Sequence, residues 1–345
     1  MTDVTTGGYG LPGSPGSPAA APGSAPAADA AALRQTLARV RTEVGKAVVG
    51  QDGAVTGLII ALLARGHVLL EGVPGVAKTL LVRSLSQALS LDTKRVQFTP
   101  DLMPGDVTGS LVYDAQTGGF VFREGPVFTD ILLADEINRT PPKTQSALLE
   151  AMEERQVSVD GVSRRLPDPF IVAATQNPIE YEGTYALPEA QLDRFLLKLT
   201  LEVPERDTEV EVLRRHAAGF NPRDLAGAGV TPVLTAAELE AARDSAAAVG
   251  ANADVLAYIV DLARATRRSP SVRLGVSPRG TTALLAAAKA WAWQSGYDSI
   301  TPDHVQAMLV PVWRHRVQLR PEAELEGVGA DAILRSIVQQ VQVPI

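Results

Sequence analysis

The sequence predicts an α/β domain with a phosphate-binding loop, followed by a helical domain, and three observations support this prediction. A glycine-rich segment at 72–79 lies between an apolar run at 67–70 and a helical pattern. A second apolar run ends in the acidic pair Asp135-Glu136. From residue 236 onward, apolar residues recur mostly at helical spacing. The first two patterns are typical of a parallel sheet that binds ligands at the carboxyl ends of its strands.

The composition is that of a folded protein with more than one domain. The chain has 345 residues, of which 46% are hydrophobic and 21% charged, enough to form an ordinary core. Its formal net charge of −7 argues against a broad basic surface for nucleic acid. Cysteine is absent, which fits the reducing cytoplasm, where we expect the protein. The histidines show no zinc-ligand spacing. We see no secretory signal and no membrane span.

We divide the chain into three parts. Residues 1–30 are rich in Gly, Pro, Ala and Ser, carry almost no large apolar side chains, and are predicted to be a disordered tail. Residues 31–220 form the predicted α/β core, and residues 221–345 are predicted to be entirely helical. The helical patterns of this last part lie at 236–249, 253–268, 278–295, 302–313 and 331–340.

Two β-hairpins are predicted as insertions in the α/β core. One lies near 107–122, around a glycine-bearing turn, and the other near 157–166, around Asp160-Gly161. Because segment 101–109 is rich in Pro, Gly and Asp, we expect it to be a loop.

The strongest motif is the phosphate-binding loop, made of Gly72, Val73, Pro74, Gly75, Val76, Ala77, Lys78 and Thr79, with Leu80 next in the following helix. Small residues let successive N–H groups surround the β- and γ-phosphates, and the helix N-terminus favours their negative charge. Lys78 can reach the β- and γ-phosphates, and the Thr79 hydroxyl can bind Mg²⁺. Ala77 stands where glycine is usual, and we expect it to be tolerated if its φ is negative. The alternative is a tight turn between core elements.

Polar residues follow two further predicted strands. After the apolar run at 131–134, Asp135 is placed to hold Mg²⁺ through water, and Glu136 is placed to orient and deprotonate an attacking water. After the run at 170–175, the amide of Asn177 could hold that water or touch the γ-phosphate. The alternatives are that the acids cap the next helix and that Asn177 starts a turn.

Three weaker patterns complete the candidate site. Gly50 and Gln51 interrupt a helical pattern upstream of the loop and could close over an adenine. Arg194 lies between a short helix and a strand, where a surface ion pair or a helix cap is the alternative. Ser277 is predicted to cap a helix whose first turn contains Arg279. A cation is unfavourable there, so Arg279 suggests an anionic partner, with a solvated side chain as the alternative.

In combination, these motifs resemble the MoxR family of AAA+ ATPases from about Arg34 to the C-terminus. The resemblance is carried by Gly-Val-Pro-Gly-Val-Ala-Lys-Thr at 72–79, Gln-Phe-Thr-Pro-Asp-Leu-Met-Pro-Gly-Asp at 97–106, Phe-Arg-Glu-Gly-Pro-Val-Phe at 122–128, Asp-Glu-Ile-Asn-Arg at 135–139, Ala-Thr-Gln-Asn-Pro at 174–178 and Leu-Asp-Arg-Phe at 192–195. Alanine is usual before the loop lysine in that family, so Ala77 is no departure from it.

The resemblance implies an AAA+ P-loop core, with a five-stranded parallel sheet between helices, followed by an all-helical lid. The hairpin near 107–122 would be the family's insertion in its second helix. Asn177 would be the first sensor, and Arg279 the second sensor, reaching from the lid. Arg194 would be the arginine finger that enters a neighbour's site, with Arg139 as a second candidate.

The resemblance also implies ATP and Mg²⁺ as cofactors and hydrolysis to ADP and phosphate as the reaction. It implies a homo-oligomer, typically a ring of six, that acts as a chaperone-like remodeller or maturation factor of protein complexes. A partner with a von Willebrand A domain is common in the family. The client protein cannot be read from the sequence.

Three other functions stay open at this stage. The first is a motor acting on nucleic acid, which the acidic balance argues against. The second is a chelatase subunit for metal insertion, which would need sister subunits. The third is a scaffold that binds ATP without turnover, against which the Asp135-Glu136 pair argues.

Overall fold

The computed structural model describes residues 27–116, 118–178 and 184–344. Most of the predicted disordered tail therefore lies outside the described residues. The first described helix begins at Ala27, inside the segment that we predicted to be tail. In the described part of the chain, no helix is both long and apolar enough to cross a membrane.

The core contains helices and strands in alternation. Its helices are α1 (Ala27–Ala47), α2 (Asp52–Leu63), α3 (Lys78–Ala88), α4 (Pro104–Thr108), α5 (Pro142–Glu154), α6 (Glu189–Leu192) and α7 (Arg206–Ala217). Its strands are β1 (His67–Glu71), β2 (Thr93–Gln97), β3 (Gly109–Asp114), β4 (Gly119–Glu124), β5 (Ile131–Asp135), β6 (Gln156–Val159), β7 (Val162–Arg165), β8 (Ile171–Gln176) and β9 (Phe195–Thr200).

Among the described residues, five strands form a parallel sheet in the order β2-β5-β8-β1-β9. The register pairs Gln97 with Asp135 and Leu70 with Thr175, so the carboxyl ends of these strands lie along one edge. This confirms the predicted parallel sheet. It also brings together segments that are far apart in sequence, because β1, β5 and β8 each lead into one of the polar motifs.

The apolar runs of the strands are buried on both faces of the sheet. On one face, Val68, Leu70 and Leu133 pack in a cluster with α1, α2 and α3. On the other face, Leu69 and Leu132 pack in a second cluster with α5. Because side chains alternate along a strand, each run contributes to both clusters, which fixes the position of the strand ends.

The structure has β-hairpins at both predicted places. Strands β3 and β4 pair antiparallel, as do β6 and β7. Asp160 and Gly161 have φ values of 53° and 72°, the left-handed pair that a tight two-residue hairpin turn needs. The expectation that 101–109 is a loop is wrong in part, because α4 occupies Pro104–Thr108. The Asp106 carboxylate accepts a hydrogen bond of 2.8 Å from the Met103 N–H and stabilises its first turn.

The lid contains α8 (Ala236–Ala247), α9 (Ala253–Arg268), α10 (Pro278–Gln294), α11 (Pro302–Trp313), α12 (Pro321–Leu325) and α13 (Ala330–Gln340). The Ser277 hydroxyl accepts a hydrogen bond from the Gly280 N–H and caps α10 as predicted. The prediction that this part is entirely helical is wrong in one detail. Strands β10 (Val272–Leu274) and β11 (Gln318–Leu319) pair antiparallel, and they are too short to give a periodic signal.

Candidate active site

The glycine-rich loop runs from the end of β1 to the start of α3, as predicted. Gly75 and Ala77 both have left-handed backbones, with φ of 92° and 66°. The negative φ on which we made the tolerance of Ala77 conditional is therefore not observed. A left-handed residue beside right-handed ones turns successive N–H groups toward one concavity, which suits an anion. At Gly72, a Cβ would lie 2.6 Å from the Leu201 carbonyl oxygen, so only glycine fits.

Lys78 lies over the mouth of this loop. Its ammonium donates hydrogen bonds to the carbonyl oxygens of Gly72 at 2.5 Å and Gln176 at 3.3 Å. These carbonyls follow β1 and end β8, which are neighbours in the sheet. The cation is thus held at the carboxyl edge, where the β- and γ-phosphates of a nucleotide would lie in such a loop.

Asp135 is the most enclosed carboxylate of this edge, and three side chains donate hydrogen bonds to it. One oxygen accepts a hydrogen bond of 2.6 Å from the Thr175 hydroxyl. The other accepts from the Thr79 hydroxyl at 3.2 Å and from Arg95 at 2.7 and 2.9 Å. The hydroxyl and carboxylate oxygens form the hard donor set that Mg²⁺ prefers when it is held by few protein groups, water and phosphate. The Thr79 hydroxyl and the Asp135 carboxylate therefore fit Mg²⁺.

Glu136 follows with a left-handed backbone at φ 57°. Its N–H donates a hydrogen bond of 2.9 Å to the Thr175 hydroxyl, which also binds Asp135. Its carboxylate accepts a hydrogen bond of 2.6 Å from the Gln97 amide and lies 3.1 Å from Nε of Arg139. A left-handed glutamate is strained, by roughly 1–3 kcal/mol, and such strain is typical of functional sites.

Asn177 is buried, with 4% of its surface exposed, directly after β8. Strand β8 lies between β5, which ends at Asp135, and β1, which leads into the loop. The strand order therefore places this amide between the acidic pair and the loop of Lys78.

Gly50 and Gln51 lie between α1 and α2 and line a cleft of ≈ 570 Å³ beside this edge. The Gln51 amide donates a hydrogen bond of 3.2 Å to the Glu202 carbonyl oxygen. Gly50 has φ 75°, and a Cβ there would lie 2.5 Å from a Thr208 methyl group. The cleft adjoins the loop through Leu201, whose N–H donates to the last residue of β1.

Arg194 and Arg279 lie away from this edge. Strand β9 runs parallel to β1, with Phe195 opposite His67, so Arg194 is at the amino end of the sheet. The length of the strands separates it from the loop by roughly 16 Å. Arg194 binds Glu153 at 2.8 Å, and Arg279 binds the other oxygen of Glu153 at 3.0 Å. The two arginines thus form one cluster around a single carboxylate, whereas Arg139 stays with Glu136.

The sequence did not reveal the roles of Arg95 and Glu153. Arg95 binds Asp135 because β2 and β5 are neighbours, and Glu153 binds two arginines because α5 ends at the amino edge of the sheet. A basic residue two positions before the end of a strand is a weak signal, and so is a glutamate near a helix end. Both contacts depend on the fold.

Comparisons with known proteins agree with this geometry. Residues 67–197 match the family described as "ATPase family associated with various cellular activities (AAA)", and residues 264–337 match the AAA lid domain. Chaperone MoxR1 of Mycobacterium tuberculosis is 40% identical, over 98% of this chain and 90% of its own length. Protein MoxR of Methylorubrum extorquens is 34% identical, over 90% and 96%.

A solved structure from Cytophaga hutchinsonii superposes with a TM-score of 0.84 at 38% identity. The match covers 92% of this chain and 98% of the other. The overall fold thus recurs in a related protein, and the matches span nearly the whole chain. The chain belongs to the MoxR family of AAA+ ATPases.

Proposed function

We propose that this protein binds ATP with Mg²⁺ at the carboxyl edge of its sheet and hydrolyses it to ADP and phosphate. The observation that supports this most is the convergence of Thr79 and Asp135, whose oxygens lie 3.2 Å apart beside Lys78 and Glu136. A P-loop NTPase needs these groups for the metal, the phosphates and the attacking water. The cleft at Gly50 would take the adenine.

Each residue of this edge has a distinct task in the proposed reaction. Thr79 and Asp135 would hold Mg²⁺, which neutralises charge on the phosphate oxygens when it is bound. Lys78 would exchange its carbonyl partners for phosphate oxygens, because an anion is the stronger acceptor. Asn177 would hold the attacking water, and Glu136 would take its proton.

We further propose that Arg194 and Arg279 act on the nucleotide of a neighbouring protomer. Their position at the amino edge of the sheet separates them from the phosphates of their own chain. AAA+ proteins are typically oligomeric, and a closed ring, here proposed to be a hexamer, would bring this edge of one protomer to the carboxyl edge of the next. Arg194 and Arg279 would then leave Glu153 when they contact the phosphate of the neighbour's nucleotide.

The proposed biological role is that of a chaperone-like remodeller or maturation factor of protein complexes. The name of the MoxR1 relative supports it, since that protein is called a chaperone. A partner with a von Willebrand A domain is proposed on family grounds, and the cytoplasm as the location. The net charge of −7 gives no support to a motor that acts on nucleic acid.

Two substitutions separate binding from hydrolysis. Lys78→Ala should abolish nucleotide binding, because the main cation of the loop is lost. Glu136→Gln should keep binding and lower turnover by about 10²–10⁴-fold, because only the base is removed. A fluorescent ATP analogue measures binding, and phosphate release measures turnover.

The control is Glu322→Gln, an exposed glutamate of the lid helix α12, which should behave like the wild type. Equal loss of analogue binding in Lys78→Ala and Glu136→Gln would contradict the assigned roles. Full turnover in Glu136→Gln would show that another group is the base.

A further inference from the structure

Arg316 is a buried arginine of the lid that binds the core segment carrying Arg194. Only 3% of its side chain is exposed. Its Nε donates a hydrogen bond of 2.6 Å to the Asp193 carboxylate. Its two Nη groups donate to the main-chain carbonyl oxygens of Asp193, Phe195 and Leu196, at 3.1, 2.7 and 3.1 Å. The guanidinium thus holds the backbone on both sides of Arg194.

The same side chain packs against the segment that carries Arg279. At Gly280, the next residue, a Cβ would lie 3.1 Å from Cδ of Arg316. The Gly280 carbonyl oxygen accepts a hydrogen bond of 2.8 Å from the indole of Trp313, which lies three positions before Arg316. Nε of Arg279 also lies 4.0 Å from the Asp193 carboxylate that Arg316 binds. Arg316 therefore lies between the backbones of Arg194 and Arg279.

This position suits arginine and not lysine. Burial lowers the pKa of Arg316, while the Asp193 carboxylate opposes that effect and keeps the guanidinium charged. The planar fork of an arginine satisfies several carbonyl oxygens in fixed directions at once, which a compact ammonium cannot do. Loss of the fork would leave buried carbonyls without donors and would free the Asp193–Leu196 backbone to shift.

We propose that Arg316 is a positioning residue that fixes Arg194 and Arg279 relative to each other across the junction of core and lid. Arg316 binds the backbone around Arg194 and packs against Gly280, and Glu153 binds the two guanidinium heads. The lid and the core then present both cations to a neighbouring protomer as one unit. This inference rests on the proposed function of the two arginines in trans.

Arg316→Lys tests the inference in the assembled protein. We expect binding of the ATP analogue to stay within about threefold of the wild type, because Arg316 does not contact the nucleotide edge of its own protomer. Turnover should fall by on the order of 10–100-fold, since displacing a charged group by about 1 Å has effects of this size. Thermal unfolding is measured in parallel, and turnover is measured well below the transition.

Arg243→Lys is the matched control. Arg243 is another buried arginine of the lid, with 2% of its side chain exposed, and it donates a hydrogen bond of 2.8 Å to the core carbonyl of Leu62. Among the described residues, its side-chain hydrogen bonds go to Leu62, Asp168 and Glu240, and none of them goes to the segments of Arg194 and Arg279. Turnover should stay near that of the wild type. An equal loss in both variants would show that general loosening of the lid explains the effect, and would overturn the inference.

Mixed rings separate positioning in trans from damage to a protomer's own site. Arg316→Lys mixed with Glu136→Gln should regain partial turnover. At some interfaces the Arg316→Lys protomer keeps its own Glu136 and receives well-placed arginines from its neighbour. Arg316→Lys mixed with Arg194→Ala should regain none, because both protomers present faulty arginines. The reference mixture is Arg194→Ala with Glu136→Gln, which should regain turnover if arginines act in trans at all.

The mixtures distinguish the possible explanations, provided that the mass of the mixed rings verifies co-assembly. Turnover in the reference mixture but none in Arg316→Lys with Glu136→Gln would overturn the positioning role and leave the trans arginines in place. No turnover in the reference mixture would overturn the trans function and the inference with it. If Arg316→Lys does not assemble, Asp193→Asn removes the charge that holds Arg316, and it should give the same pattern with a smaller loss.

Discussion

At the scale of single residues, Ala77 and Glu136 both adopt left-handed backbones, with φ of 66° and 57°. Such a conformation costs an L-residue roughly 1–2 kcal/mol relative to a right-handed one. The two residues follow β1 and β5, on either side of β8 at the carboxyl edge of the sheet. The conformation at Ala77 shapes the N–H concavity, and the Glu136 carboxylate contacts Gln97 and Arg139. Strain at these positions is a cost of the site's shape.

Ala77→Gly should therefore stabilise the protein. Glycine removes the left-handed penalty but adds freedom to the unfolded chain, so the net gain should be about 0.5–1 kcal/mol. Thermal or urea unfolding measures it. The matched control is Ala241→Gly, an exposed right-handed position inside α8, which should destabilise by about 1 kcal/mol. Destabilisation of the same size in both variants would contradict strain at Ala77.

At the level of residues, the sequence alone identified the site residues that belong to continuous motifs. The loop of Lys78, the pair at Asp135 and the cap at Ser277 were predicted because each motif is continuous. The left-handed conformation of Ala77 was not predicted, because a motif does not report φ. Arg316 and Glu153 were missed, because their partners lie more than a hundred residues away or in another element.

At the scale of elements, His67 ties β1 to its neighbours. Nδ1 accepts a hydrogen bond of 3.0 Å from the Val172 N–H, and Nε2 donates to the Met152 carbonyl oxygen at 3.2 Å. Burial, assisted by repulsion from Arg155, lowers the pKa of His67 to about 4. The folded protein therefore holds this imidazole neutral in a pH range where the unfolded chain protonates it.

The consequence is a loss of stability in acid. Neutral His67 makes its full contribution to the free energy of unfolding above pH 6.5. This contribution declines as the pH falls toward 4, because the unfolded state then binds the extra proton. The loss should approach roughly 3 kcal/mol. Urea unfolding of the wild type and of His67→Gln across this range measures it. Other titrating groups, such as His315, affect both proteins alike, so the difference isolates His67. If the free energy of unfolding depended on pH equally in the wild type and in His67→Gln, the role given to His67 would be contradicted.

Long elements were predicted more accurately than short ones. The helices α9, α10 and α11 were placed almost to the residue, because they span several turns of a clear period. The strands β10 and β11 were missed, because two or three residues contain no period. The order of strands in the sheet was not predicted, since apolar runs do not encode their neighbours.

At the scale of the whole molecule, the described residues place two complementary groups of charges on opposite edges of one sheet. The carboxyl edge holds Lys78, Asp135 and Glu136, and the amino edge holds Arg194 and Arg279. One protomer therefore contains both halves of the proposed catalytic site but cannot join them. In the proposed ring, the amino edge of each protomer would meet the carboxyl edge of the next, so turnover should depend on assembly. The division into domains at residues 30 and 220 stays a prediction.

The most direct test is an experimental structure of Glu136→Gln assembled with ATP and Mg²⁺. The account predicts a closed ring in which Lys78 and Thr79 of one protomer contact the phosphates and the metal. It predicts that Arg194 and Arg279 of the neighbour have left Glu153 and lie within hydrogen-bond distance of the γ-phosphate. A ring in which both arginines remain on Glu153, with the γ-phosphate contacted only by its own protomer, would contradict the central claim.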